Sequence, residues 1–116
     1  MGKTKNSFTE VKMFQVKPDK TYEFEAYIIA MVEEQKQQAG CIDIRYVKRF
    51  FTYDGPGKPP RMLTKIVKCV KYFSWWEFDN KENYGKATDW LFQKHLKNIQ
   101  RLLIVPFDIY SGNSVC

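Results

Sequence analysis

The chain has 116 residues, of which 44% are hydrophobic, 28% charged and 16% aromatic. This length suits one domain, and the composition excludes a disordered chain or a membrane-spanning one. Nineteen Lys and Arg residues against thirteen Asp and Glu residues give a net charge of +6. The basic residues are spread along the chain, which favours a solvated basic surface over an anion-binding role.

Three cysteines, an odd number, form no CxxC pair and have no histidine at a spacing suited to zinc. They predict reduced thiols and no metal site. The amino terminus lacks the apolar core of a signal peptide, and no apolar run has the length of a membrane span. We therefore expect a cytoplasmic protein that does not associate with a membrane. Nothing in the sequence indicates a cofactor.

The first half of the chain predicts a strand, a helix and a second strand. Residues 8–16 alternate as in a strand, and Pro18 ends it. Over residues 20–39, apolar side chains recur at helical spacing, and Gly40 is suited to end this helix. Residues 41–53 alternate again and predict the second strand.

The sequence DGPGKPPR at residues 54–61 is a strong loop signal. It predicts a hairpin that projects from the domain around residues 50–63. The returning strand, residues 62–78, has no Gly or Pro and is rich in β-branched and aromatic residues. Fully extended it would span roughly 55 Å, whereas a domain of this length is roughly 35 Å across. We therefore expect it to bend, bulge or project, and apolar residues on both of its faces predict that both are covered.

The last part of the chain predicts a helix and a final strand. Asp79 followed by Glu82 resembles a capping box, and the helix is expected to reach residue 103, with Gly85 allowing two consecutive helices. Residues 104–110 predict a last strand, in which Pro106 favours an edge or a bulge.

This order of elements predicts a single ferredoxin-like α+β domain over residues 1–116. Its βαββαβ topology gives a four-stranded antiparallel sheet with both helices on one face. The other face is expected to be partly apolar, and the same face of a second copy would cover it in a homodimer.

Several short segments resemble the dimeric α+β barrel superfamily, and within it the antibiotic-biosynthesis-monooxygenase-like domains. They are Lys17-Pro18-Asp19 after the first strand, Ala39-Gly40-Cys41-Ile42 at the start of the second, and Trp76-Glu77-Phe78-Asp79 with Glu82 before the second helix. The resemblance implies a dimeric α/β barrel that oxidises small aromatic substrates without metal or flavin, in a pocket between sheet and helices. The tryptophan common in the family falls at Phe78, with Trp76 on the same side of the strand. The usual histidines of the second helix fall near Ala87 and Phe92.

His95 is the sole histidine of the chain and lies beside an apolar stripe of the second helix. A neutral imidazole there can accept or donate a proton, although the sequence shows no titratable partner for it. We predict His95 and Trp76 as catalytic residues; the alternative for His95 is a hydrogen-bonded boundary residue. Five further residues are predicted to bind the aromatic substrate, with core packing or surface ion pairing as the alternative: Tyr72, Phe78, Tyr84, Trp90 and Arg45.

These features predict a cofactor-independent monooxygenase-like protein that acts on or binds a small aromatic metabolite. One alternative is a non-catalytic homodimer that binds a ligand or scaffolds other proteins. A module that binds single-stranded RNA shares the order of elements and the basic charge, but its third strand needs a glycine-containing pattern that residues 70–78 lack. Nucleic acid is therefore not expected as a partner.

Overall fold

The computed structural model describes residues 7–64 and 68–115 of the chain. The elements are β1 Phe8–Val16, a 3-10 turn Pro18–Lys20, α1 Thr21–Lys36, β2 Cys41–Lys48, β3 Phe51–Thr52, β4 Arg61–Met62, β5 Val70–Phe78, α2 Lys81–Gln100 and β6 Asp108–Asn113. Strands β2, β5, β1 and β6 form one antiparallel sheet in that spatial order, and β3 and β4 form a separate two-stranded sheet. Both helices pack on one face of the larger sheet, so the predicted ferredoxin-like α+β fold is confirmed.

The first strand has the predicted bounds, and the first helix ends at Lys36 rather than near residue 39. Gly40 lies in the turn that leads into β2 and has a φ of +81°. A Cβ atom at this position would lie 2.3 Å from Asp79 Oδ1, so the turn needs glycine both for its backbone conformation and for its close approach to the start of α2.

The two long strands predicted around the hairpin are interrupted. β2 ends at Lys48, and β5 begins only at Val70. Between them β3 and β4 pair as a short hairpin, with Phe51 opposite Met62. Residues 65–67 of the predicted central strand lie outside the described residues.

Helix α2 is one continuous helix of 20 residues and passes through Gly85 without a break. Asn80 caps it, because the Asn80 side chain accepts a hydrogen bond from the backbone N–H of Asn83 at 2.8 Å. The predicted capping box at Asp79 is therefore wrong by one position. Among the described residues, neither helix combines the length and the apolarity of a membrane span.

The last strand begins at Asp108, whereas residues 104–110 were predicted. Ile104 and Val105, predicted to open the strand, lie before it and are 40% and 43% exposed. Leu102 and Leu103, which precede them, are buried, and Leu103 forms an isolated bridge with Val16. Pro106 precedes the strand, so its missing N–H removes no hydrogen bond from the ladder.

Side-chain alternation divides the sheet into two faces. We call the side packed on the helices the covered face; its apolar residues include Phe14, Val16, Ile44, Tyr72, Trp76 and Phe78, all buried. We call the other side the open face; its apolar residues are Val11, Met13, Val47, Phe73, Trp75 and Tyr110. Val47, Trp75 and Tyr110 are exposed, so the open face is partly apolar, as predicted.

Candidate functional site

The covered face carries a buried ion pair in β1. Glu10 and Lys12 are two positions apart, so both side chains point towards the helices, and their residues are 0% and 2% exposed. Lys12 Nζ donates a hydrogen bond to Glu10 Oε1 at 2.6 Å. The hydroxyl of Tyr84, from the first turn of α2, donates to Glu10 Oε2. One carboxylate thus accepts hydrogen bonds from both the strand and the helix.

Aromatic rings enclose the Lys12 ammonium. Its nitrogen lies 5.5 Å from the ring centroid of Trp76 and 5.6 Å from that of Phe107. An ammonium has three N–H donors, yet the bond to Glu10 is the only hydrogen bond that the Lys12 ammonium makes within residues 7–64 and 68–115. Burial lowers the pKa of Lys12, and the neighbouring Glu10 charge only partly opposes this shift.

The sheet register fixes what surrounds the pair. Glu10 lies opposite Trp76 of β5, and Lys12 lies between Ser74 of β5 and Ile109 of β6. Burial and the Glu10 carboxylate raise the pKa of Tyr84 above its ordinary value of 10, because an ionised phenol would face a second negative charge. Tyr84 therefore remains a hydrogen-bond donor at neutral pH.

Two adjoining clefts lie between α2 and β6 and are here called the α2–β6 cleft. One has a volume of about 350 Å³ and is lined by Tyr84, and the other has about 220 Å³ and is lined by Phe107. Phe92 and Ile109 line both. Tyr84 and Phe107 each touch the ion pair as well as a cleft, so they separate a space of ligand size from a buried charge pair.

Three of the predicted site residues lie together here. Trp76 and Phe78 are 0% exposed with ring centroids 4.9 Å apart, and the ring of Tyr84 lies 5.8 Å from that of Phe78. The indole N–H of Trp76 has no acceptor in hydrogen-bond geometry among the described residues. Burial raises the pKa of the nearby Cys41 thiol, and the indole N–H of Trp76 partly opposes this increase. Phe92 is 40% exposed and faces the cleft.

His95 lies between the two helices and is 7% exposed. Its Nδ1 is 2.5 Å from the hydroxyl of Tyr27, and its Nε2 is 2.7 Å from Glu34 Oε1. Hydrogen bonds from Lys94 and then from His95 lower the pKa of Glu34. Helix α1 thus supplies the titratable partners that were not evident in the sequence.

The two residues predicted as catalytic belong to different contact networks. Within the described part of the chain, no hydrogen bond or ring contact joins His95 to Trp76. Trp90, predicted to bind substrate, packs edge-on against His95 with centroids 5.2 Å apart. His95 and Trp90 therefore pack against each other between the helices, away from the contacts of the ion pair.

Tyr72 and Arg45 do not line the α2–β6 cleft. Tyr72 donates a hydrogen bond to Glu25, which also pairs with Lys48 at 2.8 Å, in a groove of about 170 Å³ between α1 and β2. Arg45 is on the open face opposite Trp75. It therefore does not share a pocket between sheet and helices with the other predicted residues.

Sequence reasoning did not single out Glu10 and Lys12. The signal that could have found them is their parity, because they alternate with the same spacing as the buried residues Phe14 and Val16. Because charged residues in a strand are usually solvated, Glu10 and Lys12 were not expected to be buried beside Phe14 and Val16.

No family model matches the chain, and no curated protein sequence matches it. Solved structures do match over nearly the whole chain. A conserved protein from Methanosarcina mazei Go1 is 19% identical with a TM-score of 0.68, and the match covers 97% of each chain. SnoaB, a cofactor-independent oxygenase from Streptomyces nogalater, is 14% identical with a TM-score of 0.66, over 94% of this chain and 93% of that one.

A monooxygenase from the ActVA-Orf6 gene of Streptomyces coelicolor, solved with the ligand nanaomycin D, is 12% identical with a TM-score of 0.65, over 94% of this chain and 88% of that one. The chain shares its fold with these proteins. At these identities the likeness is one of fold, and it confirms the architecture that the sequence predicted. In this fold the ion pair lies between the sheet and the helices.

Proposed function

We propose that the protein is a cofactor-independent monooxygenase that acts on a small aromatic metabolite bound in the α2–β6 cleft. The observation that supports this most is the buried Glu10–Lys12 pair behind a cleft with aromatic walls. The same fold occurs in two proteins whose names describe oxygenases.

An electron-rich aromatic substrate can itself reduce oxygen once it has lost a proton. For a ring CH₂ group of the anthrone type, removal of one proton gives a delocalised anion. This anion gives electrons to O₂ and forms a C–O bond, and protonation yields a hydroperoxide. The hydroperoxide loses water, so one oxygen atom remains as a ketone, the carbon has lost both hydrogens, and the other oxygen atom leaves as water.

In this proposal the residues around the ion pair divide the work. Glu10 accepts the first proton once a ligand in the α2–β6 cleft displaces the Tyr84 hydroxyl that donates to the Glu10 carboxylate. Trp76 and Phe107 orient the flat substrate. His95, held by Glu34 and Tyr27 between the helices, stays a predicted catalytic residue and is tested separately.

Oxygen uptake with anthrone as substrate tests this function. We expect uptake of one O₂ for each ketone formed, and a loss of about 100-fold or more in kcat for Glu10→Gln. Glu25→Gln is the matched control, because Glu25 also accepts from a tyrosine hydroxyl and a lysine, but in the groove between α1 and β2.

Trp76→Phe and His95→Ala separate the two contact networks in the same assay. A loss only in Trp76→Phe assigns the reaction to the α2–β6 cleft, and a loss only in His95→Ala assigns it to the helix interface. Absence of oxygen uptake, with anthrone still bound, would favour the non-catalytic ligand-binding alternative.

We also propose that two copies bury their open faces against each other. Six apolar residues on that face, three of them exposed, form a patch that one subunit leaves in contact with water. Sedimentation should give a dimer. A monomer that binds single-stranded RNA in a salt-sensitive way would overturn the proposal, with Phe73 and Trp75 as the stacking surface.

A further inference from the structure

We infer that Tyr27, His95 and Glu34 form a second site, in which Tyr27 is a nucleophile that takes the acyl group of small activated esters. The three residues lie between α1 and α2, and their hydrogen bonds do not include the ion pair of β1. The reaction is ester hydrolysis in two steps, and it uses neither oxygen nor the α2–β6 cleft.

The hydrogen bonds of His95 determine which nitrogen of the neutral imidazole carries the hydrogen. Nε2 lies 2.7 Å from Glu34 Oε1, and hydrogen bonds from Lys94 and then from His95 lower the pKa of that carboxyl. An ionised carboxylate only accepts hydrogen bonds, so Nε2 donates and Nδ1 keeps a free electron pair. The Tyr27 hydroxyl, 2.5 Å from Nδ1, therefore donates to it. A nucleophile, a base and a carboxylate that orients the base are thus in line.

A further hydrogen bond favours loss of the Tyr27 proton. Asn98 Nδ2 donates to Tyr27 Oη at 3.2 Å. A donor to the phenol oxygen stabilises negative charge on it, so Asn98 and His95 act in the same direction. The Asn98 amide also lies beside the oxygen that bonds to the acyl carbon, where a tetrahedral intermediate needs a hydrogen-bond donor.

Other tyrosines of the chain show why Tyr27 is distinct. The hydroxyls of Tyr72 and Tyr84 each donate to a carboxylate. Burial and then that carboxylate raise the pKa of both phenols, because ionisation would place two negative charges side by side. An imidazole becomes a cation when it takes a proton. His95 therefore leaves an opposite charge beside the Tyr27 oxygen, and Glu34 stabilises that cation.

A small cleft gives access to these residues. It has a volume of about 110 Å³ and is lined by Tyr27, Ala30, Met31, Glu34 and His95. Ala30 is exposed, so the cleft opens to solvent along α1. Its size suits a short acyl group such as acetyl, while the leaving group of an aryl ester stays outside in water.

Atoms and charge balance in both steps. The Tyr27 O–H bond breaks as Oη bonds to the ester carbonyl carbon, and the proton moves to His95 Nδ1. The bond from this carbon to the leaving oxygen then breaks, and the leaving group takes the proton from His95. Water next attacks the acyl carbon and gives its proton to His95, and Tyr27 regains a proton as the acid departs. Since a phenolate leaves more readily than an alkoxide, the acyl-tyrosine can turn over.

p-Nitrophenyl acetate tests the site, because the release of p-nitrophenol is followed by its absorbance. We expect a burst of about one p-nitrophenol per chain, followed by a slower steady release. Mass spectrometry of peptides from protein quenched during the burst should find the acetyl group on Tyr27. This measurement uses the unmodified protein, so loss of fold in a variant cannot explain the result.

Tyr22 is the internal control. It lies on the same helix, is 88% exposed, and makes no side-chain hydrogen bond within the described residues. Exposure alone would favour acetylation of Tyr22, whereas the base beside Tyr27 predicts at least about tenfold more acetyl on Tyr27. Tyr27→Phe should abolish the burst, and Tyr22→Phe should retain it.

Glu34→Gln tests the positioning role of the carboxylate. It leaves the nucleophile in place, so we expect the burst to be slower by about 100-fold or more and still to reach the same amplitude. A purely structural role would lower the amplitude instead.

The second site is overturned if no burst occurs, if the acetyl group is found on Tyr22 or on a lysine rather than on Tyr27, or if Tyr27→Phe keeps the burst. The anthrone assay is read separately. Acetylation of Tyr27 without oxygen uptake would support the second site and remove the monooxygenase, and oxygen uptake without acetylation of Tyr27 would do the reverse.

Discussion

Trp75 and Trp76 are neighbours in the chain, but they lie on opposite faces of the same sheet. Trp76 is 0% exposed and packs beside the Lys12 ammonium, whereas Trp75 is 36% exposed on the open face. The covered face holds its rings around a buried charge pair, and the open face presents them to water. Position within the alternation, rather than residue type, therefore decides whether a ring serves an internal site or a surface.

The largest expected effect is the loss of the covered-face tryptophan. Trp76→Ala should lower the free energy of unfolding by about 3–5 kcal/mol, because it opens a cavity in the core. Trp75→Ala should cost less than about 1.5 kcal/mol in the isolated subunit, since its ring is already partly hydrated. Urea unfolding at low protein concentration measures both, and equal losses would contradict the division into two faces.

The next effect concerns the buried pair. Glu10→Gln leaves the Lys12 ammonium without its counter-charge, and we expect a loss of about 3 kcal/mol. Adding Lys12→Met should restore much of this loss, because the double variant buries no charge. Glu25→Gln, at a partly exposed ion pair, should cost less than about 1 kcal/mol. Urea unfolding of the unmodified protein, Glu10→Gln, Lys12→Met, the double variant and Glu25→Gln tests this, and additive losses in the double variant would show that the two charges do not interact.

On the open face, a charge should break the proposed assembly and leave the fold intact. Phe73→Glu should raise the dimer dissociation constant by about 100-fold, because it places a carboxylate in the centre of an apolar interface. Tyr22→Glu introduces the same charge on an 88% exposed side chain of α1 and serves as the control. Sedimentation velocity over a concentration series measures both, and an unchanged constant for Phe73→Glu would place the interface elsewhere.

The smallest effect is a dependence on alkaline pH. Because the pKa of Tyr84 is raised in the folded chain, the folded state keeps this proton above pH 10 while the unfolded state loses it. The stabilisation is therefore complete below pH 10 and declines above it, by at most about 1.4 kcal/mol per pH unit for one group. Tyr84→Phe should flatten the decline between pH 10 and 11 in urea unfolding. Tyr22→Phe is the control, and an equal decline in both variants would contradict the assignment.

Local patterns were enough to predict most of the fold. The bounds of β1 follow from its alternation and from Pro18, which ends it. The last strand could not be placed in the same way, because the apolar residues Ile104 and Val105, predicted to open it, lie before the strand, and the strand continues into the polar residues 111–113. Backbone hydrogen bonds to β1, rather than side-chain pattern, hold that edge strand.

The candidate site was only partly predictable. The sequence predicted that Trp76, Phe78 and Tyr84 share one substrate site with three further residues. The first three lie together at the end of the covered face, and the others lie elsewhere: Tyr72, Trp90 and Arg45. The partners of His95 could not be inferred, because they depend on how α1 docks against α2, which no local spacing encodes. For Arg45 the strand was predicted correctly. Its side chain lies on the open face, whereas the predicted substrate site lies on the covered face.

The two members of the ion pair are separated by one residue within a single strand. Their mutual approach therefore requires only that β1 be extended, and no distant part of the chain has to arrive for it. When α2 docks and removes water from the strand, it encloses an ammonium and a carboxylate that have already neutralised each other. The dehydration step of folding thus moves a small dipole, rather than two isolated ions, into the interior.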